Sequence, residues 1–444
     1  MQRTGATSSL RAIQRACISR ISPSKSAAGR RGAQYRSYAD APTIAGGKLA
    51  QIIRDSIRAT GPIPISRYMQ FCLSHPIEGY YSKGDVFGRQ GDFITSPEIS
   101  QIFGELVGVY FLTRYLAHGG KGPVRLVELG PGRGTLMDDI LRTLYSFPQI
   151  AGSIKQIHLV ENSLKMQELQ GAKLAPRLDG KGVELTWSDM VDGIEESEAF
   201  DMIVAHEFFD AMPINLFEKR EDGYREVQVD TDPNYTPGLS TSKSSGLRLA
   251  ISRTPTPLST VLPATSPRFA KLPIGSRIEI AQDSYKITRR LGEIISGKGG
   301  GAGLVVDYGG DRAYGSSFRA FRNHKIVDVF DEPGSADLTA NVDFAYLGES
   351  LEGIARPLSP IPQSQFLNSL GLQPRLMSLL ASAPSDTRRE GLRKAAQRLI
   401  DPLGMGEEYK VMGIEPLSVE GEVYPFPSEA QLTSPPVEEK PDSI

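Results

Sequence analysis

Two cysteines, one tryptophan and five histidines among 444 residues leave little material for several kinds of chemistry. Cys17 falls in an N-terminal leader, so Cys72 has no internal partner and a disulfide-stapled secreted fold is excluded. His75, His118, His158, His206 and His324 are scattered without metal-ligand spacing, and no metal site is expected. No run approaches the roughly 18 consecutive apolar residues of a membrane span. Fifty Lys and Arg against 52 Asp and Glu give a formal net charge of −2, without the clustered basic excess that a nucleic-acid footprint requires.

Acid is missing altogether from the first 39 residues, where Arg3, Arg11, Arg15, Arg20, Lys25, Arg30, Arg31 and Arg36 stand among serines. An Arg-rich, Ser-rich, acid-free leader has the composition of a mitochondrial transit peptide, with Leu10, Ile13 and Cys17 at helical spacing for its apolar face. The stretch Arg36-Ser37-Tyr38-Ala39 resembles a matrix-peptidase site, and residues 1–38 are expected to be removed on import. The alternative is a disordered basic arm for nucleic acid. Without those eight positive charges the net of −2 becomes −10, which disfavours the alternative.

What is present centres on Val124 to Gly134. Val124, Leu126, Val127 and Leu129 form a short apolar run that stops at glycine, and Thr135 to Leu144 then reads as helix. Gly130, Gly132 and Gly134 let backbone approach a ligand closely, and Glu128 holds a carboxylate at the strand's end. A dinucleotide fingerprint spaces its third glycine one residue later and would be repelled by that carboxylate. A cationic nucleotide carrying an ammonium and a sulfonium suits the turn better, which points to S-adenosyl-L-methionine. The bland alternative is an ordinary glycine-rich strand-to-helix turn.

The surrounding chain alternates as a doubly wound α/β fold does. Helical patterns cover Thr43 to Ala59 and Ser66 to Leu73, the latter with Ser66 as its cap. A glycine-rich loop from His75 to Glu98 leads into a helix from Pro97 to Tyr115 and is positioned to fold over the cofactor, with Gly91, Asp92 and Thr95 as contacts. A second strand, Ile157 to Val160, ends in Glu161, placed to take both hydroxyls of a ribose, and a helix from Ser163 to Leu174 comes next. A third, Val183 to Trp187, is followed by Asp189, placed at an adenine edge. A fourth, Asp201 to Ala205, runs into His206-Glu207-Phe208-Phe209-Asp210. Two carboxylates beside aromatics suit a guanidinium: they align its planar fork, offset its charge and accept the proton lost on methylation. The bland alternative makes Glu207 and Asp210 helix caps and the phenylalanines core.

From Thr231 to Pro273 the composition turns Ser/Thr/Pro-rich, which suggests a surface insertion without a core, apart from an isolated strand near Leu247 to Ile251. Strand patterns return at Arg277 to Ile280 and Leu304 to Tyr308, with a helix from Ser284 to Ile295 between them, and Asp307 and Tyr308 are expected at the substrate entrance. Arg312 to His324 reads as a basic surface loop facing an acidic partner patch. Asp337 and Asp343 either frame the substrate pocket or cap helices. Phe366 to Leu372 and Tyr409 to Met412 read as helix and closing strand.

Five words in order, GDFITSPEISQIFGE (91–105), ELGPGRG (128–134), EFFDAMP (207–213), LVVDYG (304–309) and DLTANVD (337–343), resemble the mitochondrial complex I assembly-factor methyltransferases, also called the mitochondrial dysfunction protein A family. The resemblance runs from about Leu49 to Gly413. It implies a Rossmann-like class I S-adenosylmethionine-dependent methyltransferase fold with an N-terminal helical segment and an inserted β-rich, irregular subdomain. It also implies symmetric dimethylation of an arginine on a core subunit of NADH:ubiquinone oxidoreductase in the mitochondrial matrix, with a homodimer left open. The family's cofactor glycines fall on Gly130, Gly132 and Gly134, its second-strand acid on Glu161, and its paired carboxylates on Glu207 and Asp210. His206 departs from the family's usual small polar amide. The segments expected are a leader over 1–38, a helical and cofactor-covering part over 39–118, and a catalytic core over 119–230 and 276–424. An insertion over 231–275 and a disordered tail over 425–444 complete them. The competing expectation is an assembly chaperone that binds the cofactor without turnover.

Overall fold

A computed structural model describes residues 47–82, 95–236 and 245–427. The chain divides into two units, Met1–Thr43 and Ile44–Ile444, and every described residue lies in the second. The leader, Gly91, Asp92 and nearly all of the C-terminal tail fall outside the described residues.

The apolar runs read from the sequence become adjacent strands of one sheet. We label its main strands β1 (Val124–Leu129), β2 (Ile154–Val160), β3 (Glu184–Ser188), β4 (Phe200–His206), β5 (Gly301–Gly310), β6 (Ala355–Pro357) and β7 (Tyr409–Pro416). Their spatial order is β6-β7-β5-β4-β1-β2-β3. Strands β5, β4, β1, β2 and β3 are mutually parallel, whereas β7 runs antiparallel to β5 and to β6. Successive side chains of a strand point to opposite faces, and a parallel sheet covered on both faces can be apolar on both. Accordingly Leu126 packs with Phe103, Leu136 and Ile140 on one face, and Val127 and Leu129 pack with Leu291 and Ile295 on the other. Glu128 shares the face of Leu126 by the same alternation.

Because β1 is flanked by β2 on one side and β4 on the other, the chain leaves β1 where the sheet's winding reverses. That is the position at which open α/β sheets bind ligands. At the opposite end of these strands Arg125 and Asp201, paired across β1 and β4, are both buried. Nε to Oδ1 is 2.5 Å and Nη2 to Oδ2 is 3.0 Å, so the pair is bidentate.

Local chemistry moves several boundaries. The helix expected from Pro97 is two helices, Ser96–Ile99 and Gln101–Ala117, because Ser100 adopts an extended backbone and caps the second, accepting the Ile102 N–H. Ser66 does not cap: the second helix begins at Ile65, and the Ser66 hydroxyl donates to Asn215 Oδ1 at 2.9 Å. Ser163 does cap, accepting the Met166 N–H at the start of Leu164–Leu178.

Between β4 and β5 the chain builds a second sheet from Asn215–Arg220, Gly223–Thr231, Leu247–Ile251 and Arg277–Ile280, completed by Ile63–Pro64. The helices Gly47–Thr60 and Ile65–Ser74 pack on it through Leu49, Ile53, Ile57, Tyr68 and Met69. Two expectations for the insertion need correction. Leu247–Ile251 is not isolated, since it pairs with Gly223–Thr231. Residues 257–273 do contribute core: Leu262 and Phe269 are buried against Phe217, Tyr224 and Ile278. Few apolar residues suffice there because each falls on a short helix that turns it inward.

Candidate active site

At the switch point an open cleft of about 730 Å³ is lined by residues from well-separated stretches of chain. Thr95 and Glu98 come from the start of the short helix Ser96–Ile99, and Glu128, Gly130, Gly132 and Arg133 come from β1 and its turn. His206, Glu207 and Asp210 come from the end of β4, Tyr308 from β5, and Tyr81 and Asp337 from either side of the mouth. Glu98, Glu128, Glu207, Asp210 and Asp337 make the lining strongly acidic, with Arg133 as its single arginine.

The turn is built as its sequence requires. Gly130, Gly132 and Gly134 have φ of 61°, 51° and 75°, the left-handed region open to glycine. A Cβ on Gly130 would stand 3.0 Å from the Phe208 ring, so the turn and the loop after β4 are packed to the limit of glycine. Glu128 is 3% exposed and its Oε2 has no hydrogen-bond partner among the described residues. Burial pushes its carboxyl up to about 8, against the opposing Met137 N–H. A buried carboxyl with a free oxygen beside a bare glycine backbone fits a cationic nucleotide.

The loop after β4 is held in an unusual shape. Glu207 has φ 48°, rare for a residue with a side chain and frequent at functional sites. Its N–H donates to Val306 O at 2.9 Å, which extends the β4–β5 pairing one residue before the chain turns away. Burial and then Asp210 push the Glu207 carboxyl up to about 8, against the Tyr409 hydroxyl, the Ser96 N–H and Arg398. His206 is pushed down to about 3 by burial, so it is neutral. The two therefore do not form an ion pair, although Nε2 and Oε1 are 3.5 Å apart.

Asp210 accepts the Tyr308 hydroxyl. The Arg319 guanidinium lies 5.0 Å from the centre of the Tyr308 ring and bonds Asn341 Oδ1 at 2.7 Å. Across the mouth Tyr81 donates to Asp337 at 3.0 Å. Asp307, expected at the entrance, is instead fully buried beneath the loop, where its side chain accepts backbone N–H groups. Asp343 is not in the cleft: it caps the helix Phe344–Ser350, accepting the Tyr346 N–H at 3.0 Å, and pairs with Arg268. The basic stretch 312–324 is not a free loop either, since Arg319 is committed to Tyr308 and Arg322 pairs with Asp331 and Glu332.

Glu161 and Asp189 stand at the ends of β2 and β3 as expected, but outside the lining of this cleft. Glu161 Oε1 accepts the Ser163 N–H at 2.8 Å, and its Oε2 faces Gln170 Nε2 at 3.2 Å. Asp189 is exposed. Gln170 is a residue that sequence reasoning misses. It is fully buried, donates to Gly132 O at 2.8 Å and accepts the Trp187 indole N–H at 2.9 Å, tying the glycine turn to both acid-bearing strands.

Sheet order, glycine turn and acidic cleft define a class I methyltransferase, and the chain belongs to the S-adenosyl-L-methionine-dependent methyltransferase family whose model matches residues 106–360. Its cofactor is S-adenosylmethionine. Within that class it belongs with the NDUFAF7 proteins. It is 37% identical over 380 residues to protein arginine methyltransferase NDUFAF7, mitochondrial, of Homo sapiens, covering 81% of each chain. To the Drosophila melanogaster homolog of that protein it is 36% identical over 390 residues, covering 83% of this chain and 85% of the other. It also resembles a solved Burkholderia thailandensis structure bound to S-adenosyl-homocysteine, with TM-score 0.65 and 27% identity over 84% of this chain and 92% of that one.

Proposed function

We propose that this chain is a mitochondrial protein arginine methyltransferase. Its substrate on this reading is an arginine of a core subunit of NADH:ubiquinone oxidoreductase, dimethylated symmetrically in the matrix. The observation that carries the reading is the pair of buried carboxyls, Glu207 and Asp210, in one cleft with Glu128 and the glycine turn. The names of the relatives support arginine as the acceptor and the mitochondrion as the compartment. The complex I subunit and the symmetry rest on the resemblance in sequence, and the matrix on the acid-free leader.

Bound S-adenosylmethionine supplies an electrophilic methyl carbon on a sulfonium. Glu128 balances the ligand's ammonium, Gly130 to Gly134 give backbone contact, and Glu161 takes the ribose hydroxyls, with Asp189 at the adenine edge. Thr95, in the cleft lining, contacts the cofactor beside them. Glu207 and Asp210 receive the two edges of the guanidinium, and that charge draws Glu207 into its ionised form. Glu207 then accepts at its carboxylate oxygen the proton lost from the attacking nitrogen. The free guanidinium has a pKa above about 12, so alignment and charge stabilisation provide most of the rate.

The test is mass spectrometry of complex I core subunits from cells carrying wild type, E207Q or no copy of the chain. Symmetric dimethylarginine present only with wild type is expected. Modification unchanged in E207Q yet lost with no copy would remove Glu207 from the chemistry, and modification unchanged with no copy would leave the protein as a cofactor-binding assembly chaperone.

A further inference from the structure

At the floor of the cleft one polar side chain has no part in the chemistry above. His206 Nε2 lies 3.5 Å from Glu207 Oε1, and neither atom has a hydrogen-bond partner among the described residues. His206 is 7% exposed, so more than nine-tenths of it is buried. Leaving two such atoms unpaired is costly. The imidazole is also fixed in place: His206 closes β4 in register with Val306, and its ring centre lies 4.9 Å from that of Phe103.

Burial keeps this imidazole neutral. It therefore brings no charge to Glu207, but it carries one N–H, which can serve as a donor. The other groups facing Glu207 come from every neighbouring element. Asp210 on the same loop and Asp307 on β5 oppose its ionisation, while Tyr409 on β7, the Ser96 N–H and Arg398 on the helix Asp386–Leu399 favour it. Glu128 and Tyr308 line the same cleft. Among these, Oε1 lacks a donor.

We propose that His206 donates its Nε2–H to Glu207 Oε1 and is a positioning residue for the methyl-transfer base. The inference rests on the reading of Glu207 as the group that accepts the substrate's proton. It assigns the proton to Nε2 and leaves Nδ1 bare. A separation of 3.5 Å is compatible with this, because hydrogen bonds in catalytic sites tighten when substrate is in place.

The test is an infrared difference titration of the carboxyl C=O band in the full chain, with E207Q identifying the Glu207 component. His206→Phe keeps a ring against Phe103 and removes both nitrogens, His206→Leu is a second donorless variant, and His206→Gln returns an amide N–H near the place of Nε2. A donor to the ionised form lowers a carboxyl pKa, so both donorless variants are expected to raise the Glu207 midpoint by about one pH unit. His206→Gln is expected to return it to within about 0.3 unit of wild type. A midpoint unmoved in both donorless variants overturns the proposal, as does one moved as far in H206Q as in H206F, or a wild-type titration from which E207Q removes no band. The readout is a carboxyl and not a product. A wild type that titrates as expected yet methylates no arginine therefore fails the arginine reading and leaves the hydrogen bond standing.

Discussion

Asp307 holds Asp210 through the backbone: its Oδ2 accepts the Asp210 N–H at 3.2 Å. The same oxygen accepts the N–H groups of Phe208 at 3.2 Å and Phe209 at 3.0 Å, and Oδ1 accepts that of Tyr308 at 2.9 Å. One fully buried carboxylate thus fixes the loop that presents both Glu207 and Asp210.

Asp307→Asn turns an amide nitrogen toward a backbone donor on one side or the other. It is expected to destabilise the fold by about 1–3 kcal/mol, the cost of leaving a buried group unsatisfied. Urea denaturation should show this as a lower midpoint with an unchanged slope. Methyl transfer should fall further than cofactor affinity, because Asp307 bonds the loop that carries Glu207 and Asp210 and touches the glycine turn only through Phe208.

Gly130→Val places a branched Cβ at φ 61° and 3.0 Å from the Phe208 ring. The left-handed conformation alone costs a side chain about 1–2 kcal/mol. Calorimetric affinity for S-adenosylmethionine is expected to drop about tenfold or more, with the far-ultraviolet circular dichroism of wild type retained. Unchanged affinity would mean that the turn is not the cofactor's seat.

Glu128 and Glu207 are both pushed up to about 8, so the folded protein keeps them protonated where the unfolded chain ionises them. The native state then binds more protons between the ordinary 4.5 and about 8, and stability falls as pH rises through that window. The melting temperature of the ligand-free protein is expected to decline from about pH 6 to about pH 8, and Glu128→Gln should flatten part of that slope. A melting temperature that climbs over the same range would contradict the assignment.

Gln170→Leu keeps the volume of a buried side chain while stripping partners from Gly132 O, Glu161 Oε2 and Trp187 Nε1. A loss of about 1–3 kcal/mol in stability is expected, together with weaker cofactor binding. Trp187 is the chain's single tryptophan, so a change in its fluorescence emission reads the loss directly.

The parts legible in the sequence are those written in consecutive residues. The β1 run, its three glycines and the helix Thr135–Leu144 need only local periodicity and turn chemistry, and the observed bounds match. Glu207 and Asp210 are readable because the residues just past a strand end must be exposed to the crevice beyond it. Asp307 is not readable in the same way, because its partners lie 97 to 99 positions away in the chain. A buried acid at a strand end looks the same in sequence as one at a cleft. Gln170 carries no signal at all: within a helix it reads as a solvated residue, and only the fold brings it beneath the glycine turn. Phe269 is hidden by its Pro- and Ser-rich neighbours, which supply caps and first turns to the short helices that bury it.

The Tyr81–Asp337 contact across the mouth joins positions 256 apart, and the Tyr308–Asp210 contact joins positions 98 apart. Contacts of such separation form late, since the loops they close must first be ordered. Both contacts draw on the last third of the chain, which also supplies β5 and β7 to the central sheet, so a copy clipped there would lose the cofactor's seat together with the reaction.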